Sequence, residues 1–95
     1  MFRFAVFALA FASAPAFAAS QYHAAPVAPP GQERVVARDN LWRCGEAGCT
    51  TGRSGARPAI VCAMLVREVG ALRSFNVQGR PFTAEELEIC NRRAR

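Results

Sequence analysis

The chain has 95 residues and carries 12 basic against 7 acidic side chains, a formal charge of +5, and every basic residue is arginine. That length holds one small core once targeting and tail segments are set aside, and it excludes a multidomain architecture. A basic surface attracts nucleic acid, anionic lipid or acidic polymer through a largely non-specific Coulombic term, so the compartment decides which of these is available.

The first residues address the compartment. Met1-Phe2-Arg3 is a short positive region, Phe4 to Ala12 is an apolar run, and Ala16-Phe17-Ala18 is an A-x-A cleavage site. Residues 1–18 therefore read as a signal peptide cleaved after Ala18, with a periplasmic or secreted mature chain beginning at Ala19. A membrane span needs about 20 strongly apolar residues, whereas this segment thins into Ser, Pro and Ala. Export removes nucleic acid from the expected partners. It leaves an anionic envelope component or another periplasmic protein, met by a monomer.

Residues 19–33 are rich in Ala and Pro, with Tyr22 and His23 as the only large side chains, and Pro26, Pro29 and Pro30 oppose helix and ladder pairing. This stretch is expected to be a flexible tail, because it has too little apolar surface to offset the entropy of ordering it. His23, the sole histidine, is then a solvated residue without a second ligand or partner acid.

The folded domain is expected over residues 34–95. The pattern from Arg34 to Trp42 mixes β-branched residues with charges and reads as a short edge strand, a break near Asp39-Asn40 and a second strand from Leu41. Alternation along that strand places Trp42 and Cys44 on one face and Leu41 and Arg43 on the other. Gly45-Glu46-Ala47-Gly48 is turn chemistry with glycine at both ends, and Cys49-Thr50-Thr51 returns antiparallel. Pro58 suits the first position of a helix. Val61, Cys62, Leu65, Val66 and Val69 recur at helical spacing, Ile60 and Met64 widen the stripe, and Gly70 stops it. Phe75-Asn76-Val77, the turn Gln78-Gly79-Arg80-Pro81 and the returning Phe82 read as a second hairpin. Thr83 with Glu86 three residues on is a capping box opening a final helix with Leu87 and Cys90 on one face.

Four cysteines permit three pairings. Cys44 with Cys49 is favoured because the hairpin sets the two opposite each other, and Cys62 with Cys90 because they lie on the apolar faces of two helices that must pack together. Three chemical readings compete. Zinc prefers C-x2-C knuckles that these spacings lack. A thiol-redox site shows C-x-x-C at a helix start, whereas the close pair here straddles a turn. A nucleophilic cysteine lacks a histidine outside the tail. Glu85, Glu86 and Glu88 are explained by an acidic helix start, and Gly52-Arg53-Ser54-Gly55 is too short for a phosphate loop and has no lysine. No catalytic residue, metal site or cofactor is expected. The candidate partner-binding residues are Trp42, Arg43, Arg53, Arg57, Arg73 and Arg80. For Trp42 a core position beside a disulfide is the stronger reading.

Trp42-x-Cys44, Cys49, Arg57-Pro58, Val61-Cys62, Val69-Gly70, Phe75 and Cys90-Asn91, in that order and spacing, resemble a family of small exported alphaproteobacterial proteins. The resemblance spans Ala37 to Asn91. It implies export and paired cysteines, and it implies no activity. The expected fold is α+β: a disulfide-stapled domain of two short β-hairpins and two α-helices, ββαββα-like. The expected function is a non-enzymatic, envelope-associated binding module with an arginine-rich surface. The alternative is an inhibitor or chaperone-like module that presents the Gly45 to Gly48 turn.

Overall fold

The computed structural model describes residues 21–95; the expected signal peptide and its cleavage site lie outside the described residues. The elements are β1 (Tyr22–Pro26), β2 (Arg34–Ala37), β3 (Asn40–Gly45), β4 (Gly48–Thr51), α1 (Pro58–Val69), β5 (Leu72–Val77), β6 (Arg80–Pro81) and α2 (Ala84–Asn91). The fold class is α+β as expected, but its sheet is larger than two hairpins. Six antiparallel strands run in the order β2-β3-β4-β1-β5-β6.

The main correction concerns the expected flexible tail of residues 19–33. Tyr22–Pro26 is a central strand, paired with β4 on one side and β5 on the other. Its side chains alternate in burial, with Tyr22, Ala24 and Pro26 inward. Pro26 sits at the strand's end, where the register with β5 shifts, a place where the missing N–H does not interrupt the ladder. The folded unit therefore begins near residue 21 rather than 34. With β1 included, the first four strands form a Greek key: β2, β3 and β4 are hairpin-connected, and β1 returns beside β4 through the connection 27–33.

Both helices lie on one face of the sheet. There Tyr22, Val35, Trp42, Cys49, Leu72 and Phe75 meet Val61, Cys62, Leu65, Val66 and Cys90 in a single core. Tyr22 stands between two other rings, 6.3 Å from Trp42 and 5.7 Å from Phe75 by centroid, and Phe82 closes on Phe75 at 4.7 Å. The helix signals act as expected. Pro58 occupies the first turn of α1, and Gly70, at φ 86°, caps it by donating to Val66 O. Thr83 and Glu86 exchange both bonds of a capping box, at 2.9 and 3.1 Å. Ile60, expected to widen the buried stripe, stays 38 % exposed. The Cys62–Cys90 disulfide joins α1 to α2, and Cys44–Cys49 bridges β3 and β4.

Candidate functional site

Period-two alternation decides what the other face of the sheet presents. In β3, Asn40, Trp42 and Cys44 are buried, while Leu41 and Arg43 are exposed. Register then carries Arg43 across the sheet: it stands opposite Arg34 on β2 and Thr50 on β4, Thr50 opposite His23 on β1, His23 opposite Asn76 on β5, and Asn76 opposite Pro81 on β6. One row of open-face residues thus crosses all six strands. A second, apolar row pairs Val36 with Leu41, 63 % and 44 % exposed. Among the described residues, no helix or strand covers this face.

Arg34 and Arg43 are closer than the register alone implies. Cys44 N–H donates to Glu33 O at 2.7 Å, which makes Glu33 and Cys44 a hydrogen-bonded pair. Such pairs alternate along antiparallel strands. Arg34 with Arg43 is therefore the narrow, non-hydrogen-bonded kind of pair, in which side chains stand closest, and like charges placed so repel. Among the described residues the one ion pair is Arg92 with Glu88, so no described carboxylate neutralises these two guanidinium groups. Arg73 is exposed at the irregularity between β1 and β5, without a register partner.

The remaining candidates scatter. Arg80 stands opposite Val77 on the helix side of the edge strand β6. Arg53 follows β4 and gives its carbonyl to Asn40 Nδ2 at 3.3 Å. Arg57 is the N-cap of α1. Of the predicted arginines, Arg43 stands on the open face, Arg73 sits at the β1–β5 irregularity, and Arg53, Arg57 and Arg80 lie elsewhere. Trp42 is corrected as a partner-binding residue: it is 0 % exposed and cannot touch a ligand. Arg34, absent from the predicted set, joins Arg43 because the β2–β3 register puts it there.

His23 is also corrected. It is not solvated in a tail; it lies in β1, half-buried, and its Nε2 donates to Ala47 O at 3.0 Å. That bond ties the β3–β4 turn down onto β1. The turn itself is tighter than the predicted four residues, because Gly45 and Gly48 still pair and leave Glu46 and Ala47 at the tip. Gly48 has φ +112°, and a Cβ there would come within 2.5 Å of Ala24 O and 3.2 Å of His23 Nε2. Glycine at this position lets turn and central strand approach.

The cysteines occupy the expected pairs. Cys44 and Cys49 face each other with Cα atoms 4.0 Å apart, and Cys62 and Cys90 at 6.0 Å. No free cysteine remains. Disulfides of this kind fit an oxidising, non-cytoplasmic environment. Among the described residues, no His, Cys, Asp and Glu side chains gather in threes to hold a metal ion, and no helix is long and apolar enough to cross a membrane.

Beside the turn, the 27–33 connection arches over a cleft of about 650 Å³ lined by Pro26, Pro30, Glu33, Glu46, Gly48 and Arg73, among others. Its charges are mixed, so it does not extend the cationic face.

The motif residues find structural explanations throughout. Trp42 and Phe75 fill the core, Pro58 and Gly70 bound α1, and Asn91 clasps β5. Asn91 Oδ1 accepts from Leu72 N–H at 2.8 Å and its Nδ2 donates to Leu72 O at 3.0 Å. A family model described as a family of unknown function (DUF8200) matches residues 5–92. No curated protein and no solved structure matches the chain.

Proposed function

We propose that this chain, which belongs to the DUF8200 family of unknown function, is a non-catalytic binding module of the cell envelope, exported to the periplasm, whose open sheet face meets an anionic component. The observation that carries this reading is the Arg34–Arg43 pair: two guanidinium groups on adjacent strands, at the narrow type of pair, without a described counter-ion. Such an arrangement destabilises the isolated sheet slightly and is relieved when an anion bridges it. Thr50 and Asn76 offer neutral polar groups in the same row. A non-catalytic role is supported by the occupied thiols and by His23, whose Nε2 holds the turn.

Vesicles test the proposal. The mature, oxidised protein should bind vesicles containing phosphatidylglycerol and not vesicles of phosphatidylcholine. Binding should weaken steeply between low and physiological salt, because exposed charges are screened over about 8–10 Å there. Arg34→Gln with Arg43→Gln should remove most of it, while Arg53→Gln with Arg57→Gln should leave it nearly unchanged. Equal losses from both pairs would reduce the effect to net charge. N-terminal sequencing of the exported chain should read from Ala19.

A second reading has its own observation. The Glu46-Ala47 tip is exposed yet held from below by the Cys44–Cys49 disulfide and the His23 bond, which is how a rigid loop is presented to a protein partner. Binding through it would be insensitive to salt and sensitive to Ala47→Asp.

A further inference from the structure

The two edges of the sheet are built differently. β6 is two residues long and contains Pro81, a short, donor-poor edge of the sort that resists pairing. β2 is four residues, with neither proline nor a shift in its register with β3. The alternation that makes Arg34/Arg43 and Val36/Leu41 non-hydrogen-bonded pairs also turns the backbone N–H and C=O of Arg34 and Val36 away from β3, toward an edge that no described strand covers. Those of Val35 and Ala37 bond inward.

Beside this edge runs α1, and the two are separated by clefts. One, of about 730 Å³, lies between Arg34, Val35 and Val36 of the strand and Glu68 and Val69 of the helix, with the 30–32 part of the preceding connection also lining it. The other, of about 250 Å³, lies between Ala37 and Arg38 and the side chains of Ile60 and Met64. Ile60, Met64 and Val69 belong to the helical stripe and are not buried completely. An edge strand whose outward backbone groups have no partner among the described residues, flanked by a helix with an apolar groove between them, is the geometry of strand addition.

We propose that β2 and α1 form a strand-acceptor groove for an extended segment of another protein, with apolar residues at alternate positions and acidic residues at its ends. Its backbone bonds to Arg34 and Val36. Alternate side chains enter the groove toward Ile60, Met64 and Val69, and the others lie on the open face beside Val36. Charge chooses this occupant over a second copy of the chain. Arg34 opens the strand and Arg38 follows its last residue, both exposed, with Arg38 Nη1 3.9 Å from Met64 Sδ, so self-pairing centred on Val36 brings Arg34 toward the other copy's Arg38. Like charges so placed are unfavourable, whereas acidic ends are attracted. The proposal does not depend on the anion-binding reading above, since its contacts are backbone bonds and apolar side chains.

The test uses the full mature, oxidised protein and a short synthetic peptide of alternating valine and threonine with glutamate at both ends. On binding, amide hydrogen exchange at Arg34 and Val36 should slow by about tenfold or more, while Val35 and Ala37 stay as they were. The same peptide N-methylated at the amides of one register should bind about tenfold or more weakly than the isomer methylated at the intervening amides. Arginine ends should weaken binding, and Met64→Glu should abolish it. Equal affinity for both methylated isomers, or no change in exchange at Arg34 and Val36, overturns the proposal. Protection that rises with protein concentration in the absence of peptide also overturns it, in favour of a second copy. The methylated peptides decide the matter even if Met64→Glu does not fold.

Discussion

Trp42 shows how far a single side chain can mislead and then instruct. It is fully buried, touches Tyr22 and Phe75 at ring distances near 6.3 Å, and its Nε1–H is the one buried side-chain polar atom among the described residues without a partner. Trp42→Ala should cost about 3–5 kcal/mol, as large aromatic truncations do. Trp42→Phe keeps most of the packing and removes a donor whose burial costs about 1–3 kcal/mol, so its net loss should be less than half as large. Urea unfolding of both variants compares them, and a phenylalanine as damaging as the alanine would contradict the orphan assignment. Asn91 is the opposite case. Its amide satisfies both the N–H and the C=O of buried Leu72, which point away from β1 at a part of β5 that β6, paired only with Asn76 and Val77, does not reach. Asn91→Ala strands two backbone groups and should cost about 2 kcal/mol or more. Asn91→Asp should recover less than half of that, since a carboxylate accepts but cannot donate.

At the scale of elements, what was legible in the sequence followed local rules, and what was not depended on register. Both helices, the Thr83–Glu86 box, the Gly70 stop and the two disulfides could be read because each rests on spacing within one segment or on two faces that must meet. β1 could not. Tyr22-His23-Ala24-Ala25-Pro26 is short, alanine-rich and close to three prolines, and its alternation is hidden because the inward Ala24, 0 % exposed, is as small as the outward Ala25. Ala24 fits between Cys49 and Phe75 of the neighbouring strands, but nothing in the strand itself announces those partners. The same blindness separated Arg34 from Arg43, which are adjacent only through cross-strand pairing. The consequence is testable. A chain beginning at Arg34, where the domain was expected to start, lacks the strand that joins β4 to β5 and loses Tyr22 from the core. It should show no cooperative unfolding and a collapsed amide spectrum, whereas a chain beginning at Ala19 should fold. A folded chain from Arg34 would mean that β1 is dispensable. Within the sheet, Gly48→Ala meets both a positive φ and Ala24 O, so about 2 kcal/mol or more of stability should be lost at the β1–β4 contact.

For the whole molecule the two disulfides divide the labour unequally. Cys44–Cys49 closes 5 residues within one hairpin that the register already aligns, and Cys62–Cys90 closes 28 residues and fastens the helical layer. In the chain-entropy account these loops are worth about 2 and about 3.6 kcal/mol. They do not overlap, so their contributions add to a first approximation. Small domains have a total stability of about 5–15 kcal/mol, so the pair represents a large share of the margin, and an oxidising environment supports the fold alongside its core. Replacing both Cys62 and Cys90 by alanine should lower the unfolding free energy more than replacing both Cys44 and Cys49. Full reduction should lower the urea midpoint by more than either, bringing the protein close to its unfolding threshold at 37 °C. Each double variant removes both sulfurs of a bridge, so no new thiol confuses the comparison. Were the hairpin bridge the costlier one to lose, the stabilising unit would be the turn held against His23 rather than the helical layer, and attention would move to Glu46 and Ala47 at its tip.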